Sequence, residues 1–497
     1  MDTPQPLYSA ESVRELDRRT IAALEIPSIT LMKRAGRAAF TRLQQRWPEA
    51  RRIQVFCGGG NNGGDGYVIA ALAAQKQIPV TVYACVDPAQ LRGDALEACD
   101  YARREGVHIV TSLTELDSAD GHTVVVDALL GTGFAGELRE PVAHAVERIN
   151  KSMGAVLAVD VPSGLDADTG SAPVSMAGAV RADVTVTFIG RKLGLYCGRG
   201  AALCGEVVYE SLGAPEQVFS EVEPLAQRYD GASVKRLAPR AADSFKNQFG
   251  HVLIVGGDSG YGGAALMAAQ SAARAGAGLI SLATRPQHLV AALTRCPEVM
   301  AHPVISGQEL EPLLEGPDVI AVGPGLGRAP WGEQLLARAG RAEVPLVLDA
   351  DALNILAGGR VLAGLRRDDW VLTPHVGEAA RLLGCDSAEV LADPRAAAVA
   401  IQQQFSGVVV LKGAGTLIAH DRGVDLINSG NPGMASGGMG DLLTGLIAAL
   451  LGQHMSPLEA GRLAVWLHGE AGNRAAADGQ RGLLATDLLP WIRRLVD

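Results

Sequence analysis

The stretch IQVFCGGGNNGGDGYVIAA, residues 53–71, contains the three elements from which an α/β fold is built. Ile53–Phe56 has the composition of a short buried strand, a glycine-rich turn follows it, and the alanine-rich segment after Gly66 is typical of a helix. This order aims backbone N–H groups and a helix N-terminus at an anion such as a pyrophosphate. The turn lacks both the full G-x-G-x-x-G spacing and a Walker A Gly-Lys-Ser/Thr, so a tight strand-to-helix connection would also explain it.

The same alternation of short strands and alanine-rich segments extends along most of the chain. Ser9–Pro48 has apolar residues at helical spacing, with Ser12 and Glu15 as a candidate capping box. Beyond it, two series of β-branched runs predict strands at Val80–Val86, Val124–Val126, Val156–Val159, Val184–Phe188, and then at His251–Val255, Leu279–Ala283, Val319–Val322, Leu346–Leu348, Val408–Leu411. A connector containing prolines and charges separates the series at 214–245. We therefore predict an α/β chain of two tandem three-layer α/β/α domains.

Composition limits the possible classes of protein. A chain of 497 residues exceeds one ordinary core, and 48% hydrophobic with 20% charged residues is normal for a globular protein. The net charge of −10 argues against general nucleic-acid binding, and seven scattered cysteines without a CxxC pair favour a reducing compartment. The polar N-terminus lacks an apolar signal segment, and the apolar runs fall short of the ~20 residues that span a membrane. We expect a cytoplasmic protein with neither nucleic acid nor membrane as a partner.

Polar side chains follow three predicted strands of the first half. Asn61, Asn62 and Asp65 lie in the glycine-rich turn, VDALLGTGFAGE contributes Asp127, and VDVPSGLDADTG contributes Asp160 and Ser163. Because ligands of open α/β sheets bind at the carboxyl ends of strands, these clusters predict one pocket.

The motifs GNNGGDG, VDALLGTG and VDVPSGLD occur in the order found in the NAD(P)H-hydrate epimerase family, which residues 1 to about 215 resemble. The resemblance implies a Rossmann-like domain, which we place at 1–218, and a potassium ion held by Asn62, Asp127 and Ser163. It also implies that the hydrated cofactor contacts Asn61, Asn62, Gly63, Gly64, Asp65, Gly131, Thr132, Gly133, Phe134, Ala135, Gly136, Glu137 and Asp160.

The chemistry of such an epimerase requires a proton donor and acceptor. The hydrate carries a hydroxyl on C6, beside the ring nitrogen, and this centre must open or must lose and regain water. Asp160 is our first candidate for the acid/base and Lys192, in FIGRKLGLY, is the second, although a solvated or phosphate-contacting lysine is an alternative. Lys33–Arg34 replaces an acidic-amide pair common in relatives, a departure that would affect the pocket rim or an interface.

A second glycine-rich motif, NPGMASGGMGDLLTGLIAALL, places glycines 437, 438 and 440 directly before Asp441. Amides at the start of this helix can hold a phosphoryl group while Asp441 deprotonates a hydroxyl, although a capped helix entry would look the same. KGAGT at 412–416 follows a buried strand, and TPHVGEAARLL places His375 and Glu378 where they could face a substrate and Mg²⁺. GPGLG at 323–327 and LDADALN at 348–354 are further strand-end clusters.

Together with GYGGAALMAAQSAARAGAGL, these motifs resemble the ADP/ATP-dependent NAD(P)H-hydrate dehydratase family over 235–497, which implies a ribokinase-like domain there. The resemblance implies that Ala264 or Ala265, Gly325, His375 and Asp441 contact the hydrate. It assigns to the nucleotide, ADP with Mg²⁺, the residues Lys412, Gly413, Ala414, Gly415, Thr416 and Gly440.

We therefore predict a bifunctional repair enzyme, with Asp160, Lys192 and Asp441 as its catalytic residues. It would interconvert the R and S hydrates and dehydrate the S form with ADP, giving AMP and phosphate; because relatives of both halves assemble, a homo-oligomer is expected. The alternatives are a ribokinase-type small-molecule kinase fused to a nucleotide-binding domain, and a scaffold whose two sites are vestigial. The kinase is disfavoured by His375, where sugar kinases more often carry an amide, and the scaffold by the retained polar strand ends.

Overall fold

The computed structural model describes residues 3–173 and 178–497, and the chain divides into two compact units. One unit is Pro6–Ala226, and the other is Gln227–Asp497 together with Met1–Gln5. The boundary lies inside the predicted connector, between the ends that we expected at 218 and 235.

The first unit is built on a parallel sheet. Its strands are β1 (Gln5–Tyr8), β2 (Arg52–Cys57), β3 (Val80–Ala84), β4 (His108–Val110), β5 (Thr123–Ala128), β6 (Ala155–Val159), β7 (Val184–Phe188), β8 (Arg191–Lys192) and β9 (Glu206–Glu210). Seven of them form the sheet in the order β4-β3-β2-β5-β6-β7-β9, with every pair parallel, and β1 pairs in parallel with β8.

Helices cover both faces of this sheet. They are α1 (Ala10–Leu24), α2 (Ser28–Arg46), α3 (Asn61–Gln75), α4 (Gly93–Arg104), α5 (Val142–Asn150) and α6 (Gly200–Leu203). Val55 and Val126 pack in one buried cluster with residues of α2, α3 and α4, whereas their neighbours Phe56 and Val125 pack in another with α5. This alternation is the period of two that a strand buried on both faces requires, and it confirms the three-layer prediction.

The predicted N-terminal helix is two helices, and the predicted capping box is wrong. The side chain of Ser9 caps α1 by accepting a hydrogen bond from the backbone N–H of Ser12, so Ser12 lies inside the helix. Pro27 then precedes α2, as expected where one helix cannot continue into the next.

The second unit is a larger mixed sheet. Its strands are β10 (Ala226–Arg228), β11 (His251–Val255), β12 (Leu279–Thr284), β13 (Met300–Pro303), β14 (Val319–Val322), β15 (Leu346–Leu348), β16 (Trp370–Leu372), β17 (Val408–Leu411), β18 (Thr416–His420) and β19 (Gly423–Ile427). The order is β13-β12-β11-β14-β15-β16-β17-β18-β19-β10, parallel as far as β17, after which β18 and β19 run antiparallel.

The helices of this unit are α7 (Gly262–Arg274), α8 (Leu289–Arg295), α9 (Gly307–Leu310), α10 (Pro330–Ala339), α11 (Ala350–Ala357), α12 (Val376–Leu383), α13 (Ser387–Ala392), α14 (Pro394–Phe405), α15 (Met439–Gly452), α16 (Pro457–Ala475) and α17 (Leu489–Leu495). Helix α15 is the centre of the core, because nearly all of its side chains are buried against α7, α16 and one face of the sheet. In the parts of the chain that the structure describes, no helix has the length and apolarity to cross a membrane.

Two candidate active sites

A cavity of about 890 Å³ opens in the first unit at the carboxyl ends of the strands. The strand order reverses at β2, because β3 lies on one side of it and β5 lies on the other. Ligands of open α/β sheets bind at such a reversal. The three predicted clusters meet here, since the lining includes Asn61, Asn62, Asp65, Gly131–Glu137, Asp160 and Lys192.

The glycines of the turn permit close backbone packing. A Cβ atom on Gly58 would lie 1.8 Å from the carbonyl oxygen of Leu129, and one on Gly63 would lie 2.0 Å from the carbonyl oxygen of Gly58. Gly63 and Gly64 are buried behind the cavity wall rather than among its lining residues, whereas Asn61 and Asn62 at the start of α3 face the cavity.

Asp160 and Lys192 form a buried ion pair at the cavity floor. Lys192 has no exposed surface, and its ammonium donates to Oδ1 of Asp160, to Oγ1 of Thr187 at 3.0 Å and to the carbonyl of Phe188 at 3.1 Å. Asp160 has a φ of 65°, a left-handed conformation that strains a non-glycine residue and that is typical of functional sites. The alternative of a solvated Lys192 is therefore wrong.

The three residues assigned to potassium lie together beneath the cavity. Asp127 is fully buried and accepts from the backbone N–H and from Oγ of Ser163, at 2.8 and 2.6 Å. Asn62 Nδ2 donates to the carbonyl of Leu130 at 2.8 Å, and Leu130 N–H donates in turn to Ser163 Oγ at 2.9 Å.

Within the described residues, Oδ1 of Asn62 is buried without a hydrogen-bond partner, so it is an acceptor still available to a cation. Burial raises the pKa of Asp127 to about 6, which is the cost that a bound cation would offset. The donor set therefore fits a potassium ion.

Sequence reasoning missed Asp17. This residue of α1 lines the cavity, and burial together with Asp160 raises its pKa to about 6 against the opposing charge of Lys192. Burial also raises the pKa of Asp65 well above its usual range, with further contributions from Asp160 and Asp17. No sequence signal separates Asp17 from the solvated helix face that ELDRR suggests.

Neither Lys33 nor Arg34 lines the cavity, although Arg34 contacts the backbone of the lining residue Leu212. Lys33 pairs with Glu97 at 3.1 Å, and Arg34 donates to the carbonyl of Leu212 at 3.0 Å. The flanking Met32 and Ala35 line the cavity instead. The departure in this motif therefore changes contacts on the surface of the unit.

The second site forms at the N-terminus of α15. Gly438 caps the helix with a φ of 89°, a left-handed conformation that favours glycine, and the amides of Met439, Gly440 and Asp441 begin the helix without intrahelical partners upstream. Burial and the charge of Asp349 raise the pKa of Asp441 to about 7, opposed by Lys412. A carboxylate with this pKa is suited to general-base catalysis near neutral pH.

A buried carboxylate, Asp349, connects the loops around this helix entry. Its Oδ1 accepts from Lys412 Nζ at 2.7 Å and from Thr373 at 2.8 Å, and its Oδ2 accepts from Thr444 of α15 at 2.8 Å. A Cβ on Gly440 would lie 3.3 Å from Lys412 Nζ, so the ammonium faces the helix entry directly. In the sequence, Asp349 stands only within the strand-end motif LDADALN. Its position directly after β15 is the signal that could have identified it as a site residue.

His375 caps α12 and faces the same cluster. Its Nδ1 accepts from Gly377 N–H at 2.9 Å, which leaves the proton on Nε2, 3.3 Å from Glu378 Oε1. Burial and Lys412 lower the pKa of His375, whereas burial raises the pKa of Glu378 to about 7. Glu378 Oε2 accepts from His375 N–H at 2.8 Å, so this carboxylate orients His375.

The other assigned residues surround this cluster. Lys412–Thr416 is the turn between β17 and β18. The backbone of Lys412 forms an isolated parallel β-bridge with that of His375. Ala264 is partly exposed at the start of α7 and adjoins Gly325, whereas Ala265 is fully buried, so Ala264 is the residue open to a substrate. A Cβ on Gly438 would meet Met267 of α7, which brings the starts of α7 and α15 together.

The comparisons with known proteins match the two halves of the chain to two different family models. Residues 252–494 match the family model described as NAD(P)H-hydrate dehydratase, and residues 28–194 match that of the YjeF-related protein N-terminus. The bifunctional NAD(P)H-hydrate repair enzyme Nnr of Coxiella burnetii is 44% identical over 494 residues, 99% of each chain. The chain belongs to the bifunctional NAD(P)H-hydrate repair enzymes.

Other repair enzymes of this family are similarly close. The enzyme from Escherichia coli is 40% identical, with 99% of this chain and 94% of that protein covered, and the one from Vibrio cholerae is 42% identical over the full length of both. Among solved structures, the Bacillus subtilis ADP/ATP-dependent NAD(P)H-hydrate dehydratase co-crystallised with ATP and Mg²⁺ is 30% identical. That match covers 52% of this chain and 93% of the other, with a TM-score of 0.46.

Proposed function

We propose that the two sites act in sequence on one damaged cofactor. The first unit interconverts the R and S epimers of NAD(P)H hydrate, and the second dehydrates the S epimer to NAD(P)H at the expense of ADP, giving AMP and phosphate. The observation that carries this proposal is the presence of two complete constellations, Asp160–Lys192 in one unit and Asp441 above Asp349–Lys412 in the other, within a chain of this family.

In the first site, Asp160 is the residue we propose to exchange a proton with the C6 hydroxyl. The ammonium of Lys192 holds this carboxylate in place, and the strained backbone of Asp160 fixes its direction. Asn61, Asn62 and Asp65 at the start of α3 and the segment Gly131–Glu137 would hold the rest of the hydrate, since they line the cavity. A potassium ion held by Asn62, Asp127 and Ser163 would supply positive charge beneath the anionic cofactor.

In the second site, Asp441 is the proposed base. It would take the proton of the C6 hydroxyl as that oxygen attacks the terminal phosphoryl group of the nucleotide. The amides at the entry of α15 and the ammonium of Lys412 would stabilise the charge on the phosphoryl oxygens. Phosphate is a far better leaving group than hydroxide, so the lone pair of the ring nitrogen can then expel it as the C=N bond forms. Loss of the C5 proton to water from this iminium gives NAD(P)H.

The nucleotide would lie along the Lys412–Thr416 turn and Gly440. Mg²⁺ would enter with its phosphates, which are its usual ligands beside one or two carboxylates and water. Neutral His375, with its proton on Nε2, would present a donor to the hydrate beside Ala264 and Gly325.

An assay with both epimers tests the proposal. Purified protein, given a mixture of R and S hydrate with ADP and Mg²⁺, should restore the 340-nm absorbance of reduced nicotinamide completely. Recovery of only the S fraction would disprove the epimerase assignment, and no recovery with either ADP or ATP would disprove the dehydratase assignment. A stable phosphorylated product would instead indicate a small-molecule kinase.

A further inference from the structure

One face of helix α1 forms a wall of the first cavity. Val13, Arg14, Asp17 and Ile21 recur at spacings of three and four residues, and all of them line the cavity. Of the three carboxylates of α1, Glu11 and Glu15 face away, whereas Asp17 faces inward. The cavity thus receives a carboxylate from an element that none of the strand-end motifs includes.

The position of α1 is fixed to the strand that carries Lys192. Tyr8 of β1 pairs in parallel register with Lys192 of β8, and α1 begins two residues after Tyr8. Asp168 Oδ1 accepts from the backbone N–H of Ala10 at 2.6 Å and so holds the first turn of the helix. Asp17 therefore keeps a set position relative to the Asp160–Lys192 pair.

The pKa of Asp17 is raised by its burial and by a neighbouring carboxylate. Burial is the main cause that raises its pKa to about 6; the carboxylate of Asp160 adds to the shift, and Lys192 opposes it. Asp65 of α3 is the other buried carboxylate of the group, and its pKa is raised as well. The remaining charged groups along the cavity are Arg14, Asp94, Glu137, Arg139 and Glu140. Asp17 thus holds its proton up to a pH of about 6, whereas Asp160 is the carboxylate paired with Lys192.

We propose that Asp17 is the second catalytic residue of the epimerase, acting with Asp160 as an acid and base pair about C6 of the hydrate. The proposal rests on the epimerase function of this cavity. Asp17 gives its proton to the C6 hydroxyl as the C6–O bond breaks, and the lone pair of the ring nitrogen forms the C=N bond. Water then adds to the opposite face of C6 and gives its proton to Asp160. The reverse reaction returns the proton to Asp17, so each direction needs one proton on the pair.

The test is the rate of R-to-S conversion, followed by chromatography without nucleotide, in D17N and in the full-length wild type. We expect D17N to lose about 10²–10⁴-fold of the rate, because general acid–base catalysis contributes that much. E11Q is the matched control, since it removes a carboxylate from the same helix outside the cavity, and it should keep the wild-type rate. Dehydration of pure S hydrate with ADP should be unchanged in all three proteins.

The pH profile separates a catalytic role from a structural one. The wild-type rate should fall about tenfold per pH unit above about pH 6, because Asp17 is then deprotonated, and this dependence should be absent from the residual rate of D17N. D17E keeps a carboxyl group, so it should restore part of the rate with a pH profile displaced from that of the wild type. This variant also tests the proposal if D17N folds poorly. A D17N protein within threefold of the wild type, or an unchanged profile, would overturn the proposal. A wild type that interconverts no epimers would instead overturn the epimerase function itself.

Discussion

Lys412 Nζ lies 2.7 Å from Oδ1 of Asp349, and this ion pair joins the loop after β15 to the turn after β17 beneath the entry of α15. The side chain of Asp349 is 2% exposed and that of Lys412 is 21% exposed, so removal of one partner leaves a largely buried charge. Asp349 also accepts from Thr444, which lies one turn after Asp441. Asp349 therefore positions the ammonium of Lys412 and anchors the helix that carries Asp441.

Replacement of Asp349 should thus impair dehydration without touching epimerisation. We expect D349N to lower the free energy of unfolding of the second unit by about 3 kcal/mol, since breaking a buried pair strands its partner. The ADP-dependent rate should fall at least tenfold. T444V is the milder companion, because it removes one hydrogen bond and should cost about 1–2 kcal/mol. Chemical denaturation and the S-hydrate assay measure both effects; equal stability of D349N and wild type would contradict this account.

The base role of Asp441 predicts a pH dependence of opposite sign to that of the epimerase. The pKa of Asp441 is about 7, and a base acts only as the carboxylate, so dehydration should decline as the pH falls below about 7 and level off above it. Glu378 has a pKa of about 7 in the same cluster, so its protonation could make the decline steeper. D441N should lower the rate about 10²–10⁴-fold at every pH. A D441N profile that retains the wild-type rate would exclude Asp441 as the base, and R-to-S conversion in the same preparation serves as the folding control.

The Asp160–Lys192 pair predicts a variant that affects only the first site. D160N should abolish R-to-S conversion and limit recovery from an epimer mixture to the S fraction already present. K192M removes the ammonium that holds Asp160 and should lower the rate of R-to-S conversion. It also leaves the carboxylate of Asp160 without its partner, so it should lower the stability of the first unit. Loss of dehydration of pure S hydrate in either variant would show that the two sites are not independent.

The proposed potassium site predicts a cation-specific stabilisation of the first unit. Adding KCl in place of tetramethylammonium chloride should raise the temperature of unfolding of this unit, because a ligand that binds only the folded state stabilises it. Asp127 binds a cation as the carboxylate, so the stabilisation should weaken as the pH falls below about 6. D127N and S163A should remove the potassium dependence, whereas N150D, which lies outside the site, should keep it. An equal effect of both salts on the wild type would disprove the site.

The glycine-rich turn and the strand-end motifs were predictable because they are local. A strand, a tight turn and a helix are specified by consecutive residues, so the order strand, glycine-rich connection and helix over 53–71 is confirmed, although α3 begins at Asn61 and includes most of the predicted turn. Parallel sheets bring such connections to one edge. The antiparallel β18–β19 pair and the short strand β16 were not predicted, although β15, which also has three residues, was. The ion pair Lys192–Asp160 joins residues 32 positions apart, and only the folded chain shows that Lys192 is buried.

The sequence by itself determined the family, the two α/β domains and the residues at the strand ends. The expectations of a homo-oligomer and of a cytoplasmic location stay predictions. Only the tertiary structure shows which charged groups are buried close to one another. Asp17 looks like an ordinary surface carboxylate in the sequence, and the motifs that contain Asp349 and Asp441 do not reveal the pKa shifts of these two residues. A carboxyl group acquires its pKa and its partners from burial and from charges brought near by the fold. The sequence specifies which ionisable groups are present, and the packing of α1 and α15 sets the pKa values of Asp17 and Asp441.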